Sequence, residues 1–400
     1  MPDVLDTLAL GGDSRLSIVT ENGALAAIPL LRDGHGWRRA RAGDGVAEAL
    51  LNLIAEESSS RSFGNFTLQS WAPRTAVGEQ PMGVDQTNES VIVGGTAVVK
   101  WATHLQEGPH PAPPRIIALR NAGFTGMPAA WGLVTWQPPG GAETVAAYID
   151  EYLPGAVDGW TWAVDLVTAA ALGGDTDTVA AAAGDVGALI ADLHAALAAT
   201  TSVASHQDAA RWRADALQTL ETACTIGNSV STDILRARRH GVADELAVLG
   251  ELAGTPLIDG HGDLHVGQIL RSEKRFVVTD FDGNPVLPAA QRILPIPAAV
   301  DVAGMTQSLA HVSIVARRYT VLDATALAAA DRSARDGFLD AYQRRLTELG
   351  HAELYDPRPL RALRIQQAMR EIIYAARHLP RWMYVPDAAL PALLDDRTEW

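Results

Sequence analysis

Apolar positions in the first 75 residues alternate between strand-like runs and one helical segment. Two apolar runs between Leu16 and Leu31 flank Glu21-Asn22-Gly23, and an Asn-Gly pair suits the positive φ angles of a tight hairpin turn. Apolar residues then recur at helical spacing from Val46 to Ile54, preceded by Asp44 as the predicted N-cap. We predict a small α+β module over residues 1–75 that carries no chemical motif.

Residues 76–155 change to short β-branched runs separated by turns. The predicted strands are Ser90–Val93, Ala97–Trp101, Leu133–Trp136 and Thr144–Leu153, with a helical segment, Arg115–Ala122, between the two pairs. Short turns between neighbouring strands indicate a mainly antiparallel sheet. Pro154-Gly155 ends this module and is the predicted boundary.

Helix-type apolar spacing dominates residues 156–400, apart from a strand-rich segment at 258–283. The longest apolar stretch, Val179 to Ala199, is interrupted by Asp185, Asp192 and His194, so we predict a packed helix and no membrane span. The whole pattern predicts an α+β protein made of the module 1–75, the sheet of 76–155 and the helical region 156–400.

Composition narrows the classes of partner. The chain has 400 residues, of which 48% are hydrophobic, so it can bury a sizeable core. Its formal net charge of −15 argues against nucleic acid or an anionic membrane as partner, because both attract basic surfaces. The single cysteine, Cys224, fits a reducing compartment, and the first twenty residues show no signal peptide, so we expect a cytoplasmic protein.

Candidate chemistry is concentrated between Gly260 and Gly283. Asp263 lies five residues before Gln268, and a short apolar run then leads to Asp280 and Asp282. Kinase-type phosphotransferases use this order for a carboxylate that accepts the substrate's hydroxyl proton, followed by oxygen ligands for magnesium. We predict Asp263 as the catalytic base and Gln268 and Asp280 as metal ligands, with Asp282 as a candidate further ligand.

Two histidines and a later aspartate accompany this segment. His261 and His265 flank Asp263, and we interpret both as hydrogen-bonded residues that hold the loop. His265 is also a candidate for contacting the substrate. Asp301 is a predicted helix N-cap, with support of the catalytic loop as a second candidate role.

Candidate nucleotide contacts precede the boundary at Pro154-Gly155. Lys100 ends a predicted strand, where its ammonium can neutralise phosphate charge. The turn from Asp85 to Ser90 offers backbone N–H groups and the Ser90 hydroxyl to the phosphates. Backbone groups at the end of the last predicted strand can pair with an adenine edge, which makes cofactor-binding candidates of Glu151, Tyr152 and Leu153.

The last predicted helix has a polar face. Gln367, Glu371, Tyr374 and His378 recur at near-helical spacing, a proline ends the helix, and Trp382 follows. A solvated helix face is one interpretation. The other is a sugar site, in which Trp382 lies against a pyranose and Glu371 pairs with an ammonium group. On that interpretation the candidate substrate-binding residues are Asp263, His265, Glu371, Tyr374, His378 and Trp382.

Three segments together resemble a known family. His261–Gln268, Asp280–Gly283 and Tyr152–Trp160 are similar to bacterial maltokinases and related aminoglycoside-phosphotransferase-like enzymes. The resemblance implies a protein-kinase-like bilobal fold, with residues 1–75 as an N-terminal cap subdomain and a mainly helical C-terminal lobe. It also implies ATP and Mg²⁺ as cofactors, and a sugar hydroxyl as phosphoryl acceptor.

The run Arg370–Trp382 looks more like the actinobacterial glucosamine kinases within that group. This resemblance implies transfer to the 6-hydroxyl of glucosamine, with the amine recognised by acidic side chains. A maltokinase acting on the anomeric hydroxyl of maltose and an aminoglycoside phosphotransferase are the enzymatic alternatives.

Two departures from the family pattern matter. Pro113-Pro114-Arg115 stands where a helix glutamate is expected to pair with Lys100, and the metal-binding turn has Asp282 where maltokinases have Glu. The missing glutamate favours a non-enzymatic alternative, a nucleotide- or sugar-sensing pseudokinase. The intact set of Asp263, Gln268 and Asp280 argues against that alternative.

Overall fold

The computed structural model of the chain describes residues 3–21, 23–56, 59–83, 89–106, 108–273 and 275–396. The chain divides into two compact units. The first contains residues 1–120, 127–156 and 280–294, and the second contains 121–126, 157–279 and 295–400.

The first unit begins with a four-stranded antiparallel sheet in which each strand pairs with the next along the chain. Its strands are β1 (Asp3–Gly11), β2 (Ser14–Glu21), β3 (Ala24–Asp33) and β4 (Gly36–Arg39). The predicted hairpin is therefore present as β2 and β3, although Asn22 of its turn lies outside the described residues. Helix α1 (Val46–Ala55) follows and buries the apolar face that its spacing predicts.

A seven-stranded antiparallel sheet forms the rest of this unit's framework, in the order β5-β6-β10-β11-β9-β8-β7. Its strands are β5 (Ser60–Phe63), β6 (Phe66–Ser70), β7 (Glu79–Pro81), β8 (Glu89–Val93), β9 (Ala97–Trp101), β10 (Ala130–Trp136) and β11 (Thr144–Glu151). Helix α2 (Ala112–Asn121) lies between β9 and β10 in the chain, and the short helix α7 (Ala289–Arg292) also belongs to this unit.

The two sheets of the first unit share one hydrophobic core with α1. Leu16, Leu50, Phe66, Trp101 and Val134 are among its fully buried or nearly fully buried residues. Main-chain hydrogen bonds also join β3 to the segment directly after β9, at Ala27 N to Ala102 O (2.9 Å) and Leu105 N to Leu25 O (2.8 Å). Strand β9, which carries Lys100, is thus fixed by its neighbours β8 and β11 in the sheet and by the bonds of the following segment to β3.

The start of α1 departs from the prediction. Asp44 is not its N-cap, because its carboxylate accepts from Arg38 Nη1 (2.6 Å) and from Arg41 N (2.7 Å). Glu79 of β7 instead accepts from one amide of the first helical turn, Glu48 N (3.0 Å), and from two amides just before the helix, Gly43 N (2.8 Å) and Gly45 N (3.0 Å). A carboxylate is favoured there by the positive end of the helix dipole.

The second unit is mainly helical. Its helices are α3 (Gly159–Gly173), α4 (Asp177–Ala196), α5 (His206–Thr225), α6 (Val230–Glu245), α8 (Ala298–Tyr319), α9 (Ala324–Glu348), α10 (Leu360–His378) and α11 (Tyr384–Asp395). Two small antiparallel sheets complete it, β12 (Ser202–Val203) with β13 (Pro256–Leu257) and β14 (Ile269–Arg271) with β15 (Phe276–Val278).

Helix α4 is long and apolar enough to cross a membrane by length and composition. It packs closely on α9, since a Cβ added at Gly187 would come within 2.3 Å of Phe338 O. Leu193 and Ile190 are completely buried. The predicted packed helix is confirmed, and its apolar side chains are explained by packing inside the helical unit.

Candidate functional site

The loop that carries Asp263 is held by a buried carboxylate from α8. Asp301 is 1% exposed and accepts hydrogen bonds from His261 N (2.7 Å) and Gly262 N (2.8 Å). Burial alone would raise the pKa of Asp301, but its bond to His194 and the neighbouring amides and histidines hold that pKa below the ordinary value. The N-cap prediction was wrong, because α8 begins three residues earlier; the predicted support of the loop is confirmed.

His194 of α4 connects Asp301 to α9. Its Nε2 lies 3.2 Å from Asp301 Oδ2, and its Nδ1 lies 2.8 Å from the Tyr342 hydroxyl. His194 therefore bridges the Asp301 carboxylate and the Tyr342 hydroxyl through its two ring nitrogens. Both side chains are completely buried, so two packed helices fix the carboxylate that fixes the loop. Sequence reasoning missed His194 and Tyr342, which have no local motif.

Both loop histidines hold the backbone, as predicted. His261 Nδ1 accepts from Asp263 N (3.3 Å), and its Nε2 lies 3.0 Å from Thr279 O. His265 Nδ1 accepts from Gly267 N (3.0 Å), and its Nε2 lies 3.4 Å from the Gln268 amide nitrogen. Thr279 N in turn donates to Gln268 O (2.9 Å), which fixes the residue directly before Asp280 in the chain.

Asp263 and Glu371 lie within electrostatic range of each other. The pKa of Glu371 is raised to about 8, chiefly by burial and further by the charge of Asp263, although a hydrogen bond from Gln367 opposes this. Gln367 Nε2 donates to Glu371 Oε1 at 3.2 Å. The other oxygen, Oε2, is buried and has no hydrogen-bond donor among the described residues. With this pKa the unliganded carboxyl group is mostly protonated at neutral pH, and a cationic ligand beside Oε2 would favour its ionised form.

A buried polar chain lies behind Glu371. Arg364 Nε donates to Gln307 Oε1 (3.2 Å), so the Gln307 amide nitrogen faces His311 Nε2 at 2.9 Å and must donate to it. His311 Nε2 lies 3.3 Å from Glu371 Oε2. Because this nitrogen already accepts a hydrogen bond from Gln307, it does not donate one to Glu371. Burial, with the charges of Arg364 and His265, lowers the pKa of His311 to about 3, which keeps the ring neutral. The sequence did not reveal this set of hydrogen-bonded side chains, whose only signal was the helical spacing of Gln307 and His311.

The aromatic candidates fall into two groups. Trp382 packs edge-on against Trp160, with ring centroids 5.4 Å apart. Trp160 adjoins the catalytic loop, because a Cβ added at Gly267 would lie 2.9 Å from Trp160 Nε1. Tyr374 and His378 are exposed and pack on each other, with centroids 5.3 Å apart. Trp160 was noticed only as part of a family motif, and its contact with Trp382 has no sequence signature.

The first unit places Lys100 among carboxylates. Its Nζ lies 3.2 Å from Asp150 Oδ2, on the neighbouring strand β11. Burial would lower the pKa of Lys100, but the Asp150 carboxylate, and then Asp280 and Asp282, raise it above the ordinary value. Ser90 and Tyr148 are the cross-strand partners of Lys100 on β8 and β11, so all three occupy one row of the sheet.

The turn Asp280–Gly283 is strained and strongly anionic. Asp280 is the one non-glycine residue in the described ranges with a positive φ angle (67°), a conformation that persists only where surrounding contacts enforce it. Asp282 N lies 3.4 Å from Asp280 Oδ1, and Tyr148 donates its hydroxyl proton to Asp282 Oδ1. Burial and then the charge of Asp280 raise the pKa of Asp282 to about 7, against the opposing effects of Tyr148, Lys100 and Arg115.

These carboxylates fit a magnesium ion. Two acidic groups that destabilise each other's charge are relieved by a divalent cation, and oxygen is the ligand that Mg²⁺ prefers. The described residues contain no cluster of three or more His, Cys, Asp and Glu side chains arranged to hold a metal. Mg²⁺ bound with nucleotide needs no such cluster, because it typically takes one or two carboxylates together with phosphate oxygens.

Helix α2 supplies an arginine in place of the expected glutamate. Arg115 is 3% exposed and donates from Nη1 to Phe281 O and from Nη2 to Arg292 O, both at 2.9 Å. A Cβ added at Gly283, where φ is 71°, would lie 3.2 Å from Arg115 Nη1. The helix therefore holds the backbone of the Asp280–Gly283 turn.

The remaining cofactor candidates lie at the end of β11 and before β8. Glu151 N donates to Ala129 O and Tyr152 N to Thr96 O, both at 2.8 Å. Leu153 N makes no hydrogen bond to another backbone group within the described part of the chain. The phosphate-contacting turn predicted at Asp85–Ser90 lies outside the described residues from 85 to 88.

Known proteins match nearly the whole chain, although no family model does. Glucosamine kinase of Mycolicibacterium smegmatis is 62% identical over 398 residues, 98% of this chain and 99% of that protein. Glucosamine kinase of Streptacidiphilus jiangxiensis is 45% identical over 399 residues, 98% of this chain and 91% of that protein. A solved structure of glucosamine kinase in complex with glucosamine, ADP and inorganic phosphate is 44% identical, with a TM-score of 0.85, and covers 98% of this chain and 93% of that one. The predicted α+β, kinase-like fold is confirmed.

Proposed function

Because the chain belongs to the glucosamine kinase family, we propose that it transfers the γ-phosphoryl group of ATP to the 6-hydroxyl of glucosamine. The observation that carries the choice of acceptor is Glu371, whose buried Oε2 has no donor among the described residues and whose neighbour is Asp263. An amino sugar brings a cation to that carboxylate and a hydroxyl to the base in one molecule.

Asp263 acts as the catalytic base. The hydroxyl of the sugar donates a hydrogen bond to its carboxylate, the oxygen attacks the γ-phosphorus, and the proton passes to Asp263 as the bond to the ADP oxygen breaks. The support for this role is positional, since Asp301 holds the two amides directly before Asp263 and His261 Nδ1 accepts from the amide of Asp263 itself. A rigid loop keeps the carboxylate in line for proton transfer.

Gln268 and Asp280 would hold Mg²⁺, with Asp282 beside Asp280. When bound, the ion neutralises charge on the β- and γ-phosphates. Lys100 pairs with phosphate oxygens through its ammonium, and Ser90 offers a hydroxyl from the next strand. The carbonyl of Glu151 and the N–H of Leu153 pair with the adenine edge, and Tyr152 lies between them.

The amino sugar is bound by side chains of the second unit. Glu371 loses its proton when the sugar binds, and the ammonium group then donates to Oε2, which supplies the missing donor beside the neutral His311. Trp382, backed by Trp160, covers a face of the pyranose. His265, Tyr374 and His378 are proposed as further contacts to sugar hydroxyls.

An ADP-release assay tests the acceptor. We expect turnover with glucosamine, and little with N-acetylglucosamine or glucose, because neither brings a cation to Glu371. Maltose and kanamycin test the two enzymatic alternatives. Equal rates with glucosamine and N-acetylglucosamine would contradict the role of Glu371, and ATP binding without turnover on any acceptor would favour a sensing pseudokinase.

A further inference from the structure

We propose that Asp150 is the positioning residue for Lys100, in the role that a helix glutamate has in protein kinases. This inference rests on the proposed function, because it assumes that Lys100 contacts nucleotide phosphates. With Asp150 in this role, a kinase can be active without the helix carboxylate.

The sheet itself brings the pair together. β9 and β11 are adjacent antiparallel strands, with Lys100 opposite Tyr148 and Val98 opposite Asp150. Asp150 is therefore a diagonal neighbour of Lys100, and their charged atoms are 3.2 Å apart. The side chains are only 28% and 18% exposed, so the pair is screened less by solvent than a surface ion pair.

Helix α2 cannot supply the carboxylate in its described residues. Its first turn contains no acidic residue, and its buried polar side chain is Arg115. That guanidinium is committed to the carbonyl oxygens of Phe281 and Arg292. The two tasks are thus divided: α2 holds the Asp280–Gly283 turn, and strand β11 holds the lysine.

This division changes which element determines the orientation of the Lys100 side chain. In protein kinases the ion pair forms only when the helix is correctly placed. Here both partners are on hydrogen-bonded strands of one sheet, so the orientation of Lys100 does not depend on the position of α2. The ammonium group of Lys100 is therefore oriented for contact with phosphate before the nucleotide binds.

A double-mutant cycle tests the proposal, with Asp150→Asn, Lys100→Met and the double variant. Asp150→Asn keeps the shape of the side chain and removes its charge. We expect kcat/KM for ATP to fall about 10- to 100-fold, in line with the loss of one charge-assisted hydrogen bond. KM for glucosamine should stay close to the wild-type value, and any fall in Tm should be small, because Asp280 and Asp282 remain near the ammonium group. In the Lys100→Met background, Asp150→Asn should have no further effect.

Glu143→Gln is the matched control, because it removes another carboxylate of the β10–β11 hairpin, the acceptor for Thr135 Oγ1 (2.5 Å). It should leave both KM values unchanged. The proposal is overturned if Asp150→Asn is within twofold of wild type, or if its effect is equally large without Lys100.

A second readout separates this inference from the choice of acceptor. Calorimetric titration with a non-hydrolysable ATP analogue and Mg²⁺ needs no sugar. If glucosamine proves a poor acceptor but Asp150→Asn still weakens analogue binding only when Lys100 is present, the proposed substrate fails and the role of Asp150 stands. If binding is unaffected by Asp150→Asn, that role is wrong whichever sugar is phosphorylated.

Discussion

At the scale of single residues, Asp263 is the most direct test of the mechanism. Replacing it with Ala removes the proton acceptor, and general-base catalysis typically contributes about 10²- to 10⁴-fold. We expect kcat to fall by that range, while the affinity for the ATP analogue stays within about twofold, since the proposed nucleotide contacts are other residues. Steady-state kinetics and calorimetry on the same preparation measure both. Near-normal turnover would exclude Asp263 as the base.

Glu371 makes a pH-dependent contribution to stability. Its pKa is about 8 in the folded protein and 4.5 ordinarily, so between these values the folded state holds a proton that the unfolded state has lost. Stability therefore falls as pH rises through this window, by about 1.4 kcal/mol per pH unit. We expect the Tm of the wild type, relative to Glu371→Gln, to fall between pH 6.5 and pH 8 in the absence of sugar.

The lower limit of that comparison is set by His311. Its pKa falls from 6.5 to about 3 on folding, so it adds an opposite slope that is half-maximal at pH 6.5 and fades as pH rises further, equally in both proteins. Asp263, His265, Arg364 and Arg370 are the other charged or titratable groups near the pair, and all are present in both proteins. A Tm difference that is constant from pH 6.5 to pH 8 would show that Glu371 ionises normally.

At the scale of elements, the catalytic loop depends on the α8 carboxylate. Asp301→Ala leaves His261 N and Gly262 N without their acceptor, and each unsatisfied buried amide costs about 1–3 kcal/mol. We expect a clear drop in Tm and a kcat reduced on the order of 100-fold through misplacement of Asp263. Asp323→Ala, which removes the exposed N-cap of α9, is the control and should lower Tm with kcat unchanged. Normal kcat in a folded Asp301→Ala variant would refute this account.

The same elements show what could be predicted from sequence. Helical spacing identified α1, α8 and α10, and β-branched runs identified β8 and β9, because these signals are local. The acceptor for Glu48 N in the first turn of α1 is Glu79, which follows the helix by more than twenty residues and has no characteristic spacing. The pairing of Asp150 with Lys100 and that of His194 with Asp301 were likewise missed. Side chains that meet only in the folded chain leave no periodic pattern in the sequence.

At the scale of the whole molecule, catalytic motifs were the most predictable feature, since the order of Asp263, Gln268 and Asp280 is dictated by phosphoryl-transfer chemistry. These motifs are divided between the units, with Asp280 in the first and Asp263 and Gln268 in the second. The specificity of the sugar site was less predictable. Glu371 could be chosen from its helix face, but the neutral His311 that makes it a cation acceptor depends on Gln307 and Arg364.

Metal and nucleotide should stabilise the whole molecule together. A ligand at 100 times its Kd adds about 2.7 kcal/mol to the free energy of unfolding, so saturating ATP analogue with Mg²⁺ should raise Tm measurably. With EDTA the rise should be much smaller, because the phosphates then meet Asp280 and Asp282 without a neutralising cation. Asp280→Asn removes one of those charges, so the analogue's effect on its Tm should depend less on Mg²⁺. If EDTA leaves the wild-type shift unchanged, the nucleotide binds without Mg²⁺ and Asp280 is no metal ligand.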